Sequence, residues 1–261
     1  MAHDLAPPMS YVEIPPPADL APWIAALWCF RVRPDAGEIE HRIPLTGGLM
    51  LTVGRDGPLF LTGPRVAPLI TAVRGGDVYW GVHVLPGATG ALFHPPAGSL
   101  RDALGPAEMW LDPPWCRGWS PAADGEDDAH VLHRITLALR ELAPQAGPLD
   151  AAVMAAVERI LRIQGTIAIA ELAREVALSP RQLRRRFQAA VGLSPKELCR
   201  VRRLRAAAAA AALSERTWIE LAGDGGYADQ AHLVREFRSL LGITPGGFEQ
   251  HARRIDHRLV E

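Results

Sequence analysis

Cysteine and long apolar runs are scarce in this chain, and each scarcity excludes a class of protein. Only three cysteines occur in 261 residues, Cys29, Cys116 and Cys199, and none belongs to a Cys-x-x-Cys pair. An odd number of dispersed cysteines argues against a disulfide scaffold or a cysteine-rich zinc module and fits a reducing compartment. No apolar run reaches the roughly 18 residues that a membrane span needs. No basic segment followed by an apolar one opens the chain, so we expect a cytoplasmic protein without a membrane partner.

Lysine is also nearly absent, because Lys196 is the single lysine and arginine carries the rest of the positive charge. The net charge of −1 conceals an asymmetry between the two halves of the chain. Residues 149–261 hold 18 basic and 13 acidic side chains, a net of +5, whereas residues 1–148 hold 10 and 16, a net of −6. A basic half joined to an acidic half favours nucleic acid as the partner of the basic half.

The first 120 residues predict a β-rich domain. Short runs of strand-forming residues are separated by turn signals, and the run from Asp77 to Leu85 alternates, with Val78, Trp80, Val82 and Val84 on one face. Several short strands at such spacing indicate a small barrel or sandwich. The other runs are residues 27–32, 49–53 and 59–62.

An amphipathic helix is predicted next, within a connecting segment of residues 121–148. Apolar side chains recur there at helical spacing until the segment Pro144–Pro148, which breaks the helix and marks the domain boundary. We expect this apolar stripe to pair two chains, because most soluble oligomers have two-fold symmetry. The alternative is that the helix packs on its own β-rich domain. The stripe consists of Val131, Leu132, Ile135, Leu139 and Leu142.

Residues 149–250 have a helical pattern throughout, and a helix-turn-helix is predicted around Leu178. The sequence Ser-Pro-Arg-Gln at residues 179–182 is a capping box that starts a new helix directly after a short one. Leu183, Phe187 and Val191 form the buried stripe of that helix, so its arginines point outward. An outward arginine face at the start of a second helix suits the DNA major groove, where arginine reads guanine. A merely solvated basic face is the alternative.

The same pattern recurs 50 residues later. A second capping box at residues 194–197 starts a long helix through the alanine run 206–212, which makes a stiff connector. Asp229 is then placed to cap another helix. The motif Leu-x3-Phe-x4-Gly-x-Ser/Thr-Pro spans Leu183–Pro195 and Leu233–Pro245 with identical spacing. Two copies at one offset predict tandem helix-turn-helix units.

These motifs resemble the DNA-binding domain of AraC/XylS-type bacterial transcriptional regulators over about 100 residues. The matching segments are Ile169–Ala173, Ser179–Phe187, Gly192–Pro195 and Gly226–Pro245. The resemblance implies two recognition helices, joined by a long linker helix, that enter adjacent major-groove segments of double-stranded DNA. Together with the outward positions on each helical wheel, it indicates that the DNA-binding side chains are Arg181, Arg184, Arg185, Gln188, Gln230, His232, Arg235 and Arg238.

The first half resembles an uncharacterised sensor-like domain that often precedes this DNA-binding domain. The matching residues are Gly81–Ala88, Leu92, Pro96 and Leu100–Asp102. The resemblance implies a β-rich, cupin-like regulatory domain without an assigned ligand. Six aromatic side chains are candidates to line an apolar pocket for a small organic effector, and they suit the core of a small domain equally well. They are Tyr79, Trp80, Phe93, Trp110, Trp115 and Trp119.

An enzyme is the alternative interpretation of this half. Cupin-like barrels often hold a metal through closely spaced histidines, but His41, His83 and His94 are dispersed, without a His-x-His pair. Neither Gly-x-Ser-x-Gly nor a P-loop is present, so we expect no catalytic residue, no metal and no cofactor. Arg117 beside Cys116 is a cation that lowers a thiol pKa, although an inert thiol in an aromatic cluster is the interpretation we favour.

The sequence therefore predicts an α+β protein of two domains. Residues 1–120 form the β-rich, barrel-like or cupin-like sensor domain, 121–148 the connecting helix and linker, 149–250 the all-α tandem helix-turn-helix domain, and 251–261 a tail. We expect a cytoplasmic, nucleoid-associated transcriptional regulator modulated by a small ligand; the alternative is a cupin-like metal-dependent enzyme domain fused to a DNA-binding module. Expected partners are promoter or operator DNA, an effector, a second copy of the chain and, for an activator, RNA polymerase.

Two finer expectations concern separability and individual arginines. The break at Pro144–Pro148 and the charge asymmetry predict that residues 149–261 fold alone and bind DNA with a steep salt dependence. Arg185 lies opposite the buried stripe and is expected to reach a base edge. Arg202, on the linker helix, is expected to contact phosphate or solvent at most.

Overall fold

The computed structural model describes residues 6–93, 95–117, 119, 126–213 and 216–259. His94 and the part of the predicted connecting segment at 121–125 lie outside the described residues. Over the described ranges the N-terminal half is rich in strands and the C-terminal half is helical, so the predicted α+β architecture is confirmed.

The strands are β1 Met9–Ile14, β2 Ile24–Val32, β3 Glu38–Arg42, β4 Met50–Gly54, β5 Phe60–Thr62, β6 Ile70–Arg74, β7 Val78–Val84, β8 Leu104–Pro106 and β9 Ile255–Leu259. Seven of them form the main sheet of the N-terminal half, in the order β8, β5, β4, β7, β2, β1, β9, and β3 pairs with β6 in a separate two-stranded ribbon. Neighbouring strands are antiparallel except β1 and β9, which are parallel.

The two faces of the sheet bury different side chains, because successive residues of a strand point to opposite faces. In β7, the alternation predicted for Val78, Trp80, Val82 and Val84 is confirmed, since all four are buried in the core on one face. Tyr79 lies on the opposite face, in a second core beneath the β3–β6 ribbon. The sheet is therefore covered on both sides.

Ten α-helices are assigned within the described ranges, and none of them is long and apolar enough to cross a membrane. Short 3-10 turns occur at 97–100, 107–109 and 143–145. The helices are α1 Thr89–Leu92, α2 Pro113–Arg117, α3 Asp128–Leu142, α4 Ala151–Arg162, α5 Ile169–Glu175, α6 Pro180–Val191, α7 Pro195–Leu213, α8 Trp218–Asp224, α9 Gln230–Leu241 and α10 Pro245–Ala252.

Helix α3 is the predicted amphipathic helix, and it packs against its own sheet. Asp127 caps its first turn by accepting a backbone hydrogen bond. The stripe residues Val131, Ile135, Leu139 and Leu142 are each at most 5% exposed, in the same core as β2 and β7. The prediction that this stripe pairs two chains is therefore wrong, because the stripe is already covered within one chain.

The C-terminal residues return to the N-terminal sheet. Strand β9 pairs in parallel with β1, with Met9 opposite Ile255, and the Met9 backbone N–H donates to the Arg254 carbonyl at 3.2 Å. Of the residues expected to form a tail at 251–261, those up to 259 are described, and they end α10 and supply an edge strand. The linker at residues 144–148 is thus one of several connections between the two halves.

Candidate nucleic-acid interface

The helical half contains two helix-turn-helix units of matching build. Helices α5 and α6 form the first unit, and α8 and α9 form the second. The second helix of each unit has 12 residues, and the 19-residue α7 joins the units. The predicted tandem arrangement with a long linker helix is confirmed.

Both of these second helices begin at a capping residue and end at a glycine, both identified from the sequence. Ser179 and Gln182 form a reciprocal capping box, in which the Gln182 Oε1 accepts from the Ser179 backbone N–H at 3.0 Å. Asp229 caps α9 by accepting a backbone N–H at 2.6 Å. The helices end at Gly192 and Gly242, with φ of 83° and 65°, a left-handed conformation that glycine adopts at little cost.

The repeated Leu-x3-Phe pattern fills equivalent positions in the two cores. Leu183 and Phe187 of α6 are 0% exposed, as are Leu233 and Phe237 of α9. These buried stripes fix the rotation of each helix about its own axis. The residues opposite the stripes must therefore face away from the protein.

The outward faces of α6 and α9 carry the side chains predicted to bind DNA. All eight are exposed except His232, which is half-buried with its ring edge on Tyr227. Within the described part of the chain, none of the five arginines among them pairs with a carboxylate. These arginines are Arg181, Arg184, Arg185, Arg235 and Arg238.

Other arginines of the helical half are paired internally. Arg186, next to Arg185, makes a two-pronged ion pair with Asp150 at 2.6 and 2.7 Å, which lowers the pKa of that carboxyl. Arg200 of α7 pairs with Glu236 of α9 at 2.9 Å and so ties the linker helix to the second unit. Among the residues that the structure describes, the arginines on the outward faces of α6 and α9 thus differ from these neighbours in having no carboxylate partner.

Arg202 departs from its expected position. Its Nη2 donates to Gln164 Oε1 at 3.0 Å, its Nε is buried, and burial lowers its pKa to about 10. The expectation that Arg202 touches at most phosphate or solvent is therefore wrong. The cause is that α7 packs against helices of both units and leaves little of its surface free.

Arginines on the outward faces of two rigidly mounted helices suit the DNA major groove, where a guanidinium donates two hydrogen bonds to one guanine. The family comparison agrees with this geometry. Residues 172–251 match a family described as "Helix-turn-helix domain", and residues 12–106 match a "Domain of unknown function (DUF6597)". The chain carries a DNA-binding domain of the AraC type. Its AraC-type domain thus stands behind a domain that has no assigned function.

Several solved structures are similar to parts or most of this chain. A probable AraC family transcriptional regulator from Rhodopseudomonas palustris is 27% identical, with 39% of this chain and 97% of that chain covered and a TM-score of 0.36. The DNA-binding domain of AdpA in complex with a target DNA is 24% identical, over 39% and 93% of the chains, with a TM-score of 0.37. Apo ToxT from Vibrio cholerae is 10% identical, over 92% and 95%, with a TM-score of 0.42. No curated protein matches the chain.

The aromatic residues proposed to line a ligand pocket lie elsewhere than predicted. Four of the six are at most 4% exposed in the core shared with α3, Trp110 packs against that core, and Tyr79 lies across the sheet. Trp80 also donates its indole N–H to Asp128 at 2.7 Å, which anchors the start of α3. These side chains therefore fill cores, as the alternative interpretation held. The four buried ones are Trp80, Phe93, Trp115 and Trp119.

An open groove lies instead between α3 and the end of β1. Its volume is about 380 Å³, and Pro15–Pro17, Leu27 and Leu132 supply much of its apolar wall. His133 and Thr136 add polar groups along α3.

Burial favours the uncharged forms of His41, His83 and Cys116 in the N-terminal half. Burial lowers the pKa of His41 to about 4 and that of His83 to about 3. Burial also raises the pKa of Cys116, and the nearby carboxylates of Glu108 and Asp112 raise it further, contrary to the activation by Arg117 considered from the sequence. Among the residues that the structure describes, no group of three or more His, Cys, Asp or Glu side chains is placed to hold a metal.

Sequence reasoning missed the contacts between the two halves. Arg101 of the N-terminal half makes a two-pronged ion pair with Glu197 of α7, and Leu45 is buried in the hydrophobic core of the second unit. The Arg205 guanidinium donates to the Leu45 carbonyl at 3.2 Å. The only hint of these contacts in the sequence was that Leu100–Asp102, which include Arg101, belong to the segment that resembles the sensor-like domain.

Proposed function

We propose that the chain regulates transcription by binding promoter DNA sequence-specifically through α6 and α9 together, and that a small organic ligand in the N-terminal half modulates this binding. The observation that best supports DNA binding is the set of five exposed arginines on equivalent faces of α6 and α9. None of these arginines pairs with a carboxylate within the described residues. A protein that keeps such charge uncompensated while pairing adjacent arginines internally has a surface suited to an anionic partner.

In this proposal the side chains of the two helices make two kinds of contact, one with base edges and one with phosphates. Arg185, in the second turn of α6, reads guanine through two hydrogen bonds, and Gln230, at the start of α9, suits adenine through its amide. Arg238, in the last turn of α9, contacts phosphate and so contributes affinity without sequence preference. The remaining proposed contacts are Arg181, Arg184, Gln188, His232 and Arg235.

Selection of bound sequences from random duplexes tests DNA recognition. The full chain is expected to enrich one sequence pattern with two separated base-pair segments, one for each helix. A variant in which Arg181, Arg184 and Arg185 are alanine is expected to lose the segment read by α6 and retain the other. Failure of the unaltered chain to enrich any sequence contradicts the proposal.

The groove between Pro15–Pro17 and α3 is the proposed ligand site. Its volume suits a small organic molecule, and its walls are mainly apolar with a few polar groups. Because α3 leads directly into the linker before α4, a ligand against α3 acts on the element that joins the two halves. Thermal-shift screening of metabolites tests this, with His133→Ala expected to abolish the shift given by a true ligand. A shift that survives this change places the ligand elsewhere.

A second copy of the chain and RNA polymerase are further proposed partners. Doubling the DNA contacts raises the affinity for a repeated site without new contacts within one chain. Sedimentation of the protein with DNA tests the first partner, and transcription with purified polymerase tests the second. A strictly monomeric complex on DNA with two sites contradicts the dimer.

A further inference from the structure

One segment of the N-terminal half, residues 63–69 between β5 and β6, contacts both helix-turn-helix units. Its two ends are anchored in the N-terminal half by backbone hydrogen bonds. The Gly63 N–H donates to the Ala103 carbonyl at 2.9 Å, and the Ile43 N–H donates to the Leu69 carbonyl at 3.0 Å. We call residues 63–69 the strap.

Two prolines of the strap contact the ends of the two recognition helices. A methyl group placed on Gly192, where α6 ends, would lie 3.0 Å from Pro64 Cγ. A methyl group placed on Gly242, where α9 ends, would lie 3.3 Å from Pro68 Cβ and Cγ. The two glycines occupy the same position in the repeated motif, so the two prolines contact equivalent points of the two units.

Val66, midway between these prolines, packs against the hydrophobic cores of both units. Pro64 therefore contacts the first unit, Pro68 contacts the second unit, and Val66 contacts both. Four residues of extended chain span at most about 14 Å, so the strap limits how far apart the ends of α6 and α9 can lie. Ala67, beside Val66 in the strap, is exposed and shares neither core.

We propose that the strap fixes the distance and angle between the two recognition helices, which makes the N-terminal half a determinant of the spacing between the DNA segments that the protein reads. The proposal rests on DNA binding by both α6 and α9. Each base pair inserted between two segments moves one by about 3.4 Å and rotates it by about 35°, so rigidly spaced helices tolerate few spacings. Helices that lose the Val66 contact are joined through α7 and through the remaining contacts with the N-terminal half, and they adapt to more spacings.

The experiment measures how affinity depends on segment spacing. After selection defines the two segments, duplexes are made with one or two base pairs added or removed between them, together with a duplex that carries the α6 segment alone. Binding of the full chain is compared with that of Val66→Gly and of Ala67→Gly. Both variants gain the backbone freedom of glycine, but only the first loses the contact with the two cores.

The unaltered chain and Ala67→Gly are expected to prefer one spacing. Val66→Gly is expected to bind that spacing about tenfold more weakly, a loss of about 1.4 kcal/mol, and to show a flattened preference. Its affinity for the α6 segment alone is expected to stay within about twofold, because that contact needs one helix only. If circular dichroism shows that Val66→Gly is unfolded, Val66→Ala is measured instead and judged by the same outcomes.

A spacing profile of Val66→Gly identical to that of the unaltered chain overturns the role of the strap while leaving DNA binding intact. Tighter binding at every spacing also overturns it, because the strap would then hold the helices away from DNA. Failure of the unaltered chain to select any sequence is a different result, which contradicts the proposed function itself.

Discussion

Arg101 and Glu197 join the two halves of the chain through two parallel hydrogen bonds, at 3.1 and 2.9 Å. Glu197 also accepts the Ser194 backbone N–H at 2.7 Å and so completes the capping box of α7. Although burial opposes it, these hydrogen bonds lower the pKa of Glu197 to about 2. One carboxylate thus holds both the start of the linker helix and the N-terminal half.

The stability that Glu197 contributes is expected to depend on pH. Its pKa is lower in the folded chain than in the unfolded one, so the contribution is fully present above the ordinary value of 4.5 and is lost as the pH falls toward 2. Glu197→Gln, which keeps a capping oxygen but no charge, is expected to reduce the free energy of unfolding by about 1 kcal/mol at neutral pH. Urea denaturation across this pH range measures the difference, which should shrink on acidification. A difference that is constant with pH contradicts the assignment.

Arg185 and Arg186 are adjacent, but replacing them by alanine is expected to change different properties, DNA binding in the first case and stability in the second. Arg185→Ala is expected to cost about 1–3 kcal/mol of binding to the selected DNA and to relax the preference at one base pair, because a two-pronged base contact is lost. Arg186→Ala breaks the ion pair with Asp150 and is expected to lower the unfolding free energy without a change in base preference. Competition binding with selected and scrambled DNA, beside thermal denaturation, separates the two effects.

Arg186→Ala is the matched control for charge in that experiment, since both changes remove one arginine from α6. Equal weakening of selected and scrambled DNA by Arg185→Ala would mean that Arg185 contacts the phosphate backbone. The proposed orientation of α6 in the groove would then be incorrect.

Gly192 is expected to tolerate no side chain. Its φ of 83° is unfavourable for other residues, and a Cβ would lie 2.7 Å from the Ala97 carbonyl oxygen. Gly192→Ala is therefore expected to destabilise the fold by about 1–3 kcal/mol. Gly223→Ala, in α8 with open space around it, is the control and is expected to stabilise by about 0.5–1 kcal/mol. If thermal denaturation showed equal effects of the two changes, the positive φ of Gly192 and its close contact with Ala97 would not determine its tolerance of a side chain.

The helical half was predictable because its signals are local. Capping at Ser179 and Asp229, helix ends at Gly192 and Gly242, and the period of the buried stripes each depend on neighbouring residues alone. The same locality made the outward arginines of α6 and α9 identifiable without tertiary information. Arg202 was misplaced because its hydrogen-bond partner, Gln164, lies 38 positions earlier in the chain.

The N-terminal half was harder to predict because its structure depends on distant pairings. The four predicted runs became β2, β4, β5 and β7, whereas β1, β3 and β6 lack a clear alternation and gain their form from partner strands. The groove beside Pro15–Pro17 depends on how α3 lies on the sheet, which no local pattern encodes. The independent folding of residues 149–261 stays a prediction, and that fragment would lack Leu45 and Val66 from its cores.

Strand β9 is expected to stabilise the N-terminal sheet from the far end of the chain. Removing residues 253–261 exposes β1 as an edge strand, which lowers the free energy of unfolding and promotes association between chains. Hydrogen exchange should show faster exchange at β1 amides that face β9, among them Met9, while those bonded to β2 keep their protection. Arg258→Ala is the control, because this exposed side chain pairs locally with Asp256 and its loss leaves the backbone ladder intact. Unchanged protection of the Met9 amide after truncation would mean that β9 does not hold this edge in solution.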